Sequence, residues 1–89
     1  MANLGNVGHL SSVFIDFVKY DVVDVSIDIV SKIQTQGRNY TPVLVVYTGK
    51  KINGYKQFQC VSGNDIITAC AKANLERVWV IEIPSADCI

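Results

Sequence analysis

Residues 55–83 read as a strand, a glycine turn at Gly63, an alanine-rich helix and a closing strand, and no other stretch restricts the fold as tightly. Tyr55 to Val61 alternates, with Phe58 and Cys60 falling on one side together with Lys56, and Tyr55, Gln57, Gln59 and Val61 on the other. Ser62 or Asn64 can cap the following helix, Asp65 complements its dipole, and Asn74 supplies a left-handed stop before Leu75. A helix that starts after a glycine turn offers unpaired backbone N–H groups to an anion. The amides of Gly63, Asn64 and Asp65 are therefore the first candidate ligand site. No cationic side chain accompanies them in the turn itself.

The chain has 89 residues, 49% of them hydrophobic, which is enough for one domain around one core. Eight Lys plus Arg balance eight Asp plus Glu. With no broad positive field, the composition argues against direct DNA binding. Cys60, Cys70 and Cys88 form no CxxC pair and share no metal-ligand spacing with His9, so neither a metal site nor a disulfide framework is expected. Isolated cysteines such as Cys60 and Cys70 read as small apolar core residues. The N-terminus has no basic segment leading into an apolar one, and no apolar run is long enough to span a bilayer. The expected location is cytoplasmic.

Residues 1–12 lack periodicity and read as a flexible lead-in that carries His9. Residues 13–18 are β-branched and aromatic and read as one strand. Ser26 caps a predicted helix that runs to Gln36, where Gly37 takes the left-handed terminal position; Ile29, Val30 and Ile33 face inward and Lys32 lies on the wetter side. Pro42 leads a buried strand over residues 43–47, and residues 49–54 form an exposed hairpin connection containing Asn53 and Gly54. Residues 77–83 make the last strand and residues 84–89 a short tail. The order predicts an α+β domain over residues 13–83, a small mixed sheet with two main helices.

Two segments give this order a family likeness. Gly37 to Pro42, reading Gly-Arg-Asn-Tyr-Thr-Pro, resembles a glycine-to-proline box ahead of a valine-rich strand, and Val61 to Ala69 resembles a glycine-led helix start. Together they resemble the N-terminal domain of the ParB/sulfiredoxin-like superfamily. In ParB-like members the helix start reads Gly-Glu-Arg-Arg and binds nucleotide phosphates, while sulfiredoxins hold a catalytic cysteine and an arginine there. This chain has Asn64, Asp65 and Ile66 at the corresponding positions, so an acid stands where a cation would be.

The reading preferred from sequence is a non-catalytic binding or regulatory module that acts through protein–protein interaction. Tyr40, Tyr55, Gln57 and Gln59 are its candidate contact residues, its partner is a protein, and self-association is allowed for. The alternative is a nucleotide- or phosphate-binding domain that uses Gly63, Asn64 and Asp65, with Arg38 as countercharge. An enzyme of the redox or nucleotide-hydrolysing kind comes third, because no nucleophile has a base beside it in the pattern and no catalytic residue is assigned. No cofactor is expected other than that nucleotide or phosphate.

Overall fold

The computed structural model describes residues 9–84. The elements are β1 (His9–Phe14), a single 3-10 turn (Ile15–Phe17), β2 (Val18–Lys19), α1 (Ile27–Gln36), β3 (Val43–Ile52), β4 (Tyr55–Ser62), α2 (Asn64–Lys72) and β5 (Arg77–Glu82). The strands form one sheet in the order β1-β5-β3-β4-β2. Pairings are antiparallel for β1–β5 and β3–β4, and parallel for β3–β5 and β2–β4.

This order forces curvature. β1 and β2 occupy opposite edges, yet only Ile15–Phe17 separates them. A flat five-stranded sheet would hold its edges about 19 Å apart at the usual strand spacing, whereas the four steps from Phe14 to Val18 reach at most about 14 Å. The sheet therefore curls until its edges approach each other, as in a partly closed barrel. The expectation of one strand over residues 13–18 is corrected accordingly: the chain leaves β1, turns through the 3-10 segment with Ile15 buried, and re-enters on the far edge with Val18 opposite Phe58. β1 also starts at His9, inside the stretch read as a lead-in, because residues 9–14 find their partners in β5, far away in sequence.

Alternation sets the core. Val43, Val45, Val78 and Val80 are buried on the sheet face that receives Ile67 and Cys70 of α2, and α1 adds Ile33 beside α2. Phe58 and Cys60 are buried on β4, on the side expected. β3 runs five residues past the predicted end at Tyr47, so the connection to β4 shrinks to Asn53 and Gly54, whose φ values of 53° and 85° make it a tight type I′ hairpin turn.

Helix α1 has the limits its sequence predicts. The Ser26 hydroxyl accepts from the Ile29 amide at 3.2 Å, and Gly37 closes the helix in the left-handed region, its amide donating to the Ile33 carbonyl. Ser26→Ala is expected to cost about 1 kcal/mol, a fall in melting temperature of about 4–8 °C for a domain this size. A thermal melt followed by circular dichroism checks it. Helix α2 differs: Gly63 is its N-cap residue and no side chain caps it, so neither Ser62 nor Asn64 fills that role.

Candidate ligand cleft

A cleft of about 560 Å³ opens between α1, the loop that follows it and the start of α2. Its first wall is α1, from which Ile29, Lys32, Ile33 and Gln36 project together because they stand at i, i+3, i+4 and i+7. Asn39, Tyr40 and Thr41 form the second wall, and Asp65 and Ile66 in the first turn of α2 form the third. The lining thus combines branched aliphatic side chains and one phenol ring with an amine, two amides, an aliphatic hydroxyl and a carboxylate. Lys32 and Asp65 have no ion-pair partner among the described residues, where Lys56–Glu82 at 3.8 Å is the one salt bridge.

Asn39 holds the loop wall in place. It is 2% exposed, and its side-chain amide donates to the carbonyls of Thr41 and Trp79 at 3.0 Å each while its oxygen accepts from the Trp79 amide at 2.9 Å. The register explains the arrangement. Odd-numbered residues of β3 and β5 bond each other, as the Ile83 amide does the Val45 carbonyl, so one step before the Val43–Val80 pair the Trp79 amide would look to the Thr41 carbonyl. The Asn39 side chain stands between the two and takes the place of that ladder bond.

The four residues expected to hold a ligand occupy different positions. Asp65 lines the cleft. Gly63 has φ 104° and packs against β3; a Cβ there would lie 3.3 Å from the Val43 Cα. Asn64 faces the segment before α1, its Oδ1 accepting from the Asp21 amide at 3.0 Å. Thr68, one turn further along α2, reinforces that strap by accepting from the Val23 amide at 3.3 Å and donating to the Asp21 carbonyl at 3.5 Å. Arg38 is stacked between the rings of Tyr40 and Trp79, at 4.6 and 4.8 Å from their centroids, and its Nε donates to the Asn39 carbonyl at 3.3 Å. The cation on the cleft is Lys32. Sequence reasoning missed it together with Gln36, Asn39, Thr41 and Ile66. The one signal available was the helical spacing that puts Lys32 and Gln36 beside Ile29.

The residues expected to form an interaction surface also separate. Tyr40 belongs to the cleft and Tyr55 to an aromatic cluster at the seam of the curled sheet, stacked on Phe17 at 5.3 Å and set edge-on to Phe14 at 6.0 Å. The side chains of Gln57 and Gln59 are engaged locally. The Thr48 hydroxyl lies 3.1 Å from Gln57 Oε1, and Gln59 Nε2 donates to the Lys19 carbonyl at 3.2 Å.

Neither described thiol is disposed to react. Burial pushes Cys70 up to about 11. For Cys60, burial is again the main cause of a raised value; the backbone hydrogen bond with Ser62 opposes it, and Asp21 and Asp65 add to it. At pH 8 both thiols should therefore react with a disulfide reagent far more slowly in the native domain than after unfolding, with thiolate forming only as pH rises. Labelling of Cys60 or Cys70 at the unfolded rate would contradict this. Cys88 lies outside the described residues. Among those described, no group of three His, Cys, Asp or Glu could hold a metal ion, and no helix is long and apolar enough to cross a membrane.

No protein-family model matches the sequence, and no curated protein matches it. In three dimensions the chain is similar to the C-terminally truncated chromosome-partitioning protein ParB from Caulobacter crescentus, solved as a complex with CTP-gamma-S. The TM-score is 0.67 at 20% sequence identity, and the match covers 91% of this chain and 47% of that one. The chain thus spans about half the length of that neighbour. A chromosome-partitioning neighbour gives no support to the expectation, drawn from net charge, against direct DNA binding. Element order, the five-stranded mixed sheet and this likeness agree: the chain has a ParB-like α+β fold.

Proposed function

We propose that this domain is a nucleotide-binding module that holds its ligand without turning it over. The observation that carries the reading is the cleft itself. It opens at the first turn of α2, where the sequence resemblance implies nucleotide contact, in a fold shared with a protein solved with a CTP analogue bound. Its volume falls within the range of small-molecule sites, about 300–1,000 Å³. Its aliphatic walls and the Tyr40 ring suit a base and sugar, and its few polar groups suit orientation of a ligand. Among the described residues the Thr41 hydroxyl has no hydrogen-bonded base to activate it, which favours binding over chemistry. Isothermal titration calorimetry with CMP and with CTP tests the proposal. Saturable 1:1 binding of either one supports it, and absence of binding by both up to millimolar ligand refutes it.

Protein–protein interaction remains a second reading, favoured by one observation. Tyr55 is 55% exposed beside Phe14 and Phe17, next to a smaller cavity of about 240 Å³, and tyrosine is an enriched interface residue. Sedimentation equilibrium tests self-association through this patch. A dimer that Tyr55→Ala dissociates supports it, and a strict monomer at high concentration counts against it.

A further inference from the structure

Granting the nucleotide reading above, we infer that the cleft takes a nucleoside monophosphate in preference to a triphosphate, with the phosphate on Lys32 and the sugar hydroxyls on Asp65. Three features carry this. First, the charged side chains lining the cleft are one amine and one carboxylate, Lys32 on α1 and Asp65 on α2. Their formal charges cancel, and each lacks a protein partner among the described residues. Second, Asp65 stands in the first turn of α2, so the helix start is already complemented by the protein's own carboxylate and no longer attracts an incoming anion. A phosphate placed there would meet a like charge. Third, Tyr40 is 63% exposed although Arg38 lies against its ring, so much of that ring is open for a base beside Ile29 and Ile66.

The consequence is a direction. A carboxylate is an acceptor suited to paired sugar hydroxyls, and an ammonium suits a phosphate. The ligand therefore lies with its anionic end toward α1 and its sugar toward α2, opposite to the placement that the sequence resemblance implies for phosphates. Each further phosphate adds about one negative charge, and Lys32 is the one cation lining the cleft among the described residues.

Calorimetric titration of the full chain with cytidine, CMP and CTP in magnesium-free buffer decides the matter, using the wild type, Lys32→Gln and Asp65→Asn. Both substituted side chains are exposed, and a circular dichroism melt confirms that each variant folds. Expected is CMP binding about tenfold tighter than CTP. Lys32→Gln should weaken CMP about tenfold, the scale of one charge-assisted hydrogen bond, and leave cytidine within about twofold. Asp65→Asn should weaken cytidine and narrow the gap between CMP and CTP. If CTP binds more tightly than CMP and Lys32→Gln changes neither, the inference fails while the nucleotide reading stands. If none of the three ligands binds the wild type, both fall.

Discussion

Asn39→Ala is expected to lower the unfolding free energy by about 2–4 kcal/mol, because a buried donor and two acceptors lose their partner together and each unsatisfied group costs about 1–3 kcal/mol. Partial access of water to the freed carbonyls keeps the sum below the arithmetic maximum. The affected groups are the Trp79 amide, the Trp79 carbonyl and the Thr41 carbonyl. At about 4–8 °C per kcal/mol for a domain of this length, the melting temperature should fall by about 8–32 °C. Asn39→Asp separates hydrogen bonding from volume. It keeps the size and the acceptor for the Trp79 amide, yet sets a carboxylate against two carbonyl oxygens, so it should be no more stable than the alanine variant. Denaturant unfolding of the two variants checks this. If Asn39→Asp is close to wild type, the ladder-substitute role is wrong. The loop wall of the cleft hangs on the same three bonds, so ligand affinity should fall with stability in both variants.

Gly63→Ala should cost about 2–5 kcal/mol from two sources of different kind. At φ 104° an L side chain is strained, by about 1–2 kcal/mol in the left-handed region. The new methyl would also press on the Val43 backbone at 3.3 Å and on its two γ-carbons at 3.4 and 3.5 Å, and overpacking of this kind adds about 1–3 kcal/mol. Val43 is fully buried at the start of β3 and has little room to yield. Gly37→Ala provides the control, since its φ is 75° and nothing lies within 4 Å of the added carbon. That variant should lose only the conformational part, about 1–2 kcal/mol. Equal losses at the two positions, read from urea midpoints, would show that contact with Val43 does not matter.

Local chemistry was legible in the sequence and closure was not. The limits of α1 follow from Ser26 and Gly37, each acting within one turn of its own position. The left-handed Asn74 and the buried face of β4 were equally local. By contrast, residues 13–18 carry a strand-like pattern, and only the pairing of β1 with β5 and of β2 with β4 reveals that the chain must break between them. The candidate site divides the same way. Asp65 could be found because a turn and a helix start mark it. Lys32 reaches the cleft only because α1 packs beside α2, and Arg38 stacks on Trp79, a ring that stands 41 positions on in the sequence. Nothing local marks Asn39, because its partner Trp79 lies 40 positions along the chain.

The account rests on the cleft between α1 and α2 being the place where a nucleotide sits. The most direct measurement is a ¹H–¹⁵N correlation spectrum of the labelled chain titrated with CMP. Saturating shifts should cluster at the amides of Lys32, Gln36, Tyr40, Asp65 and Ile66, while Phe14, Phe17 and Tyr55 at the sheet seam stay still. Shifts centred on the seam residues, or no shifts at all with either CMP or CTP at millimolar concentration, would contradict it.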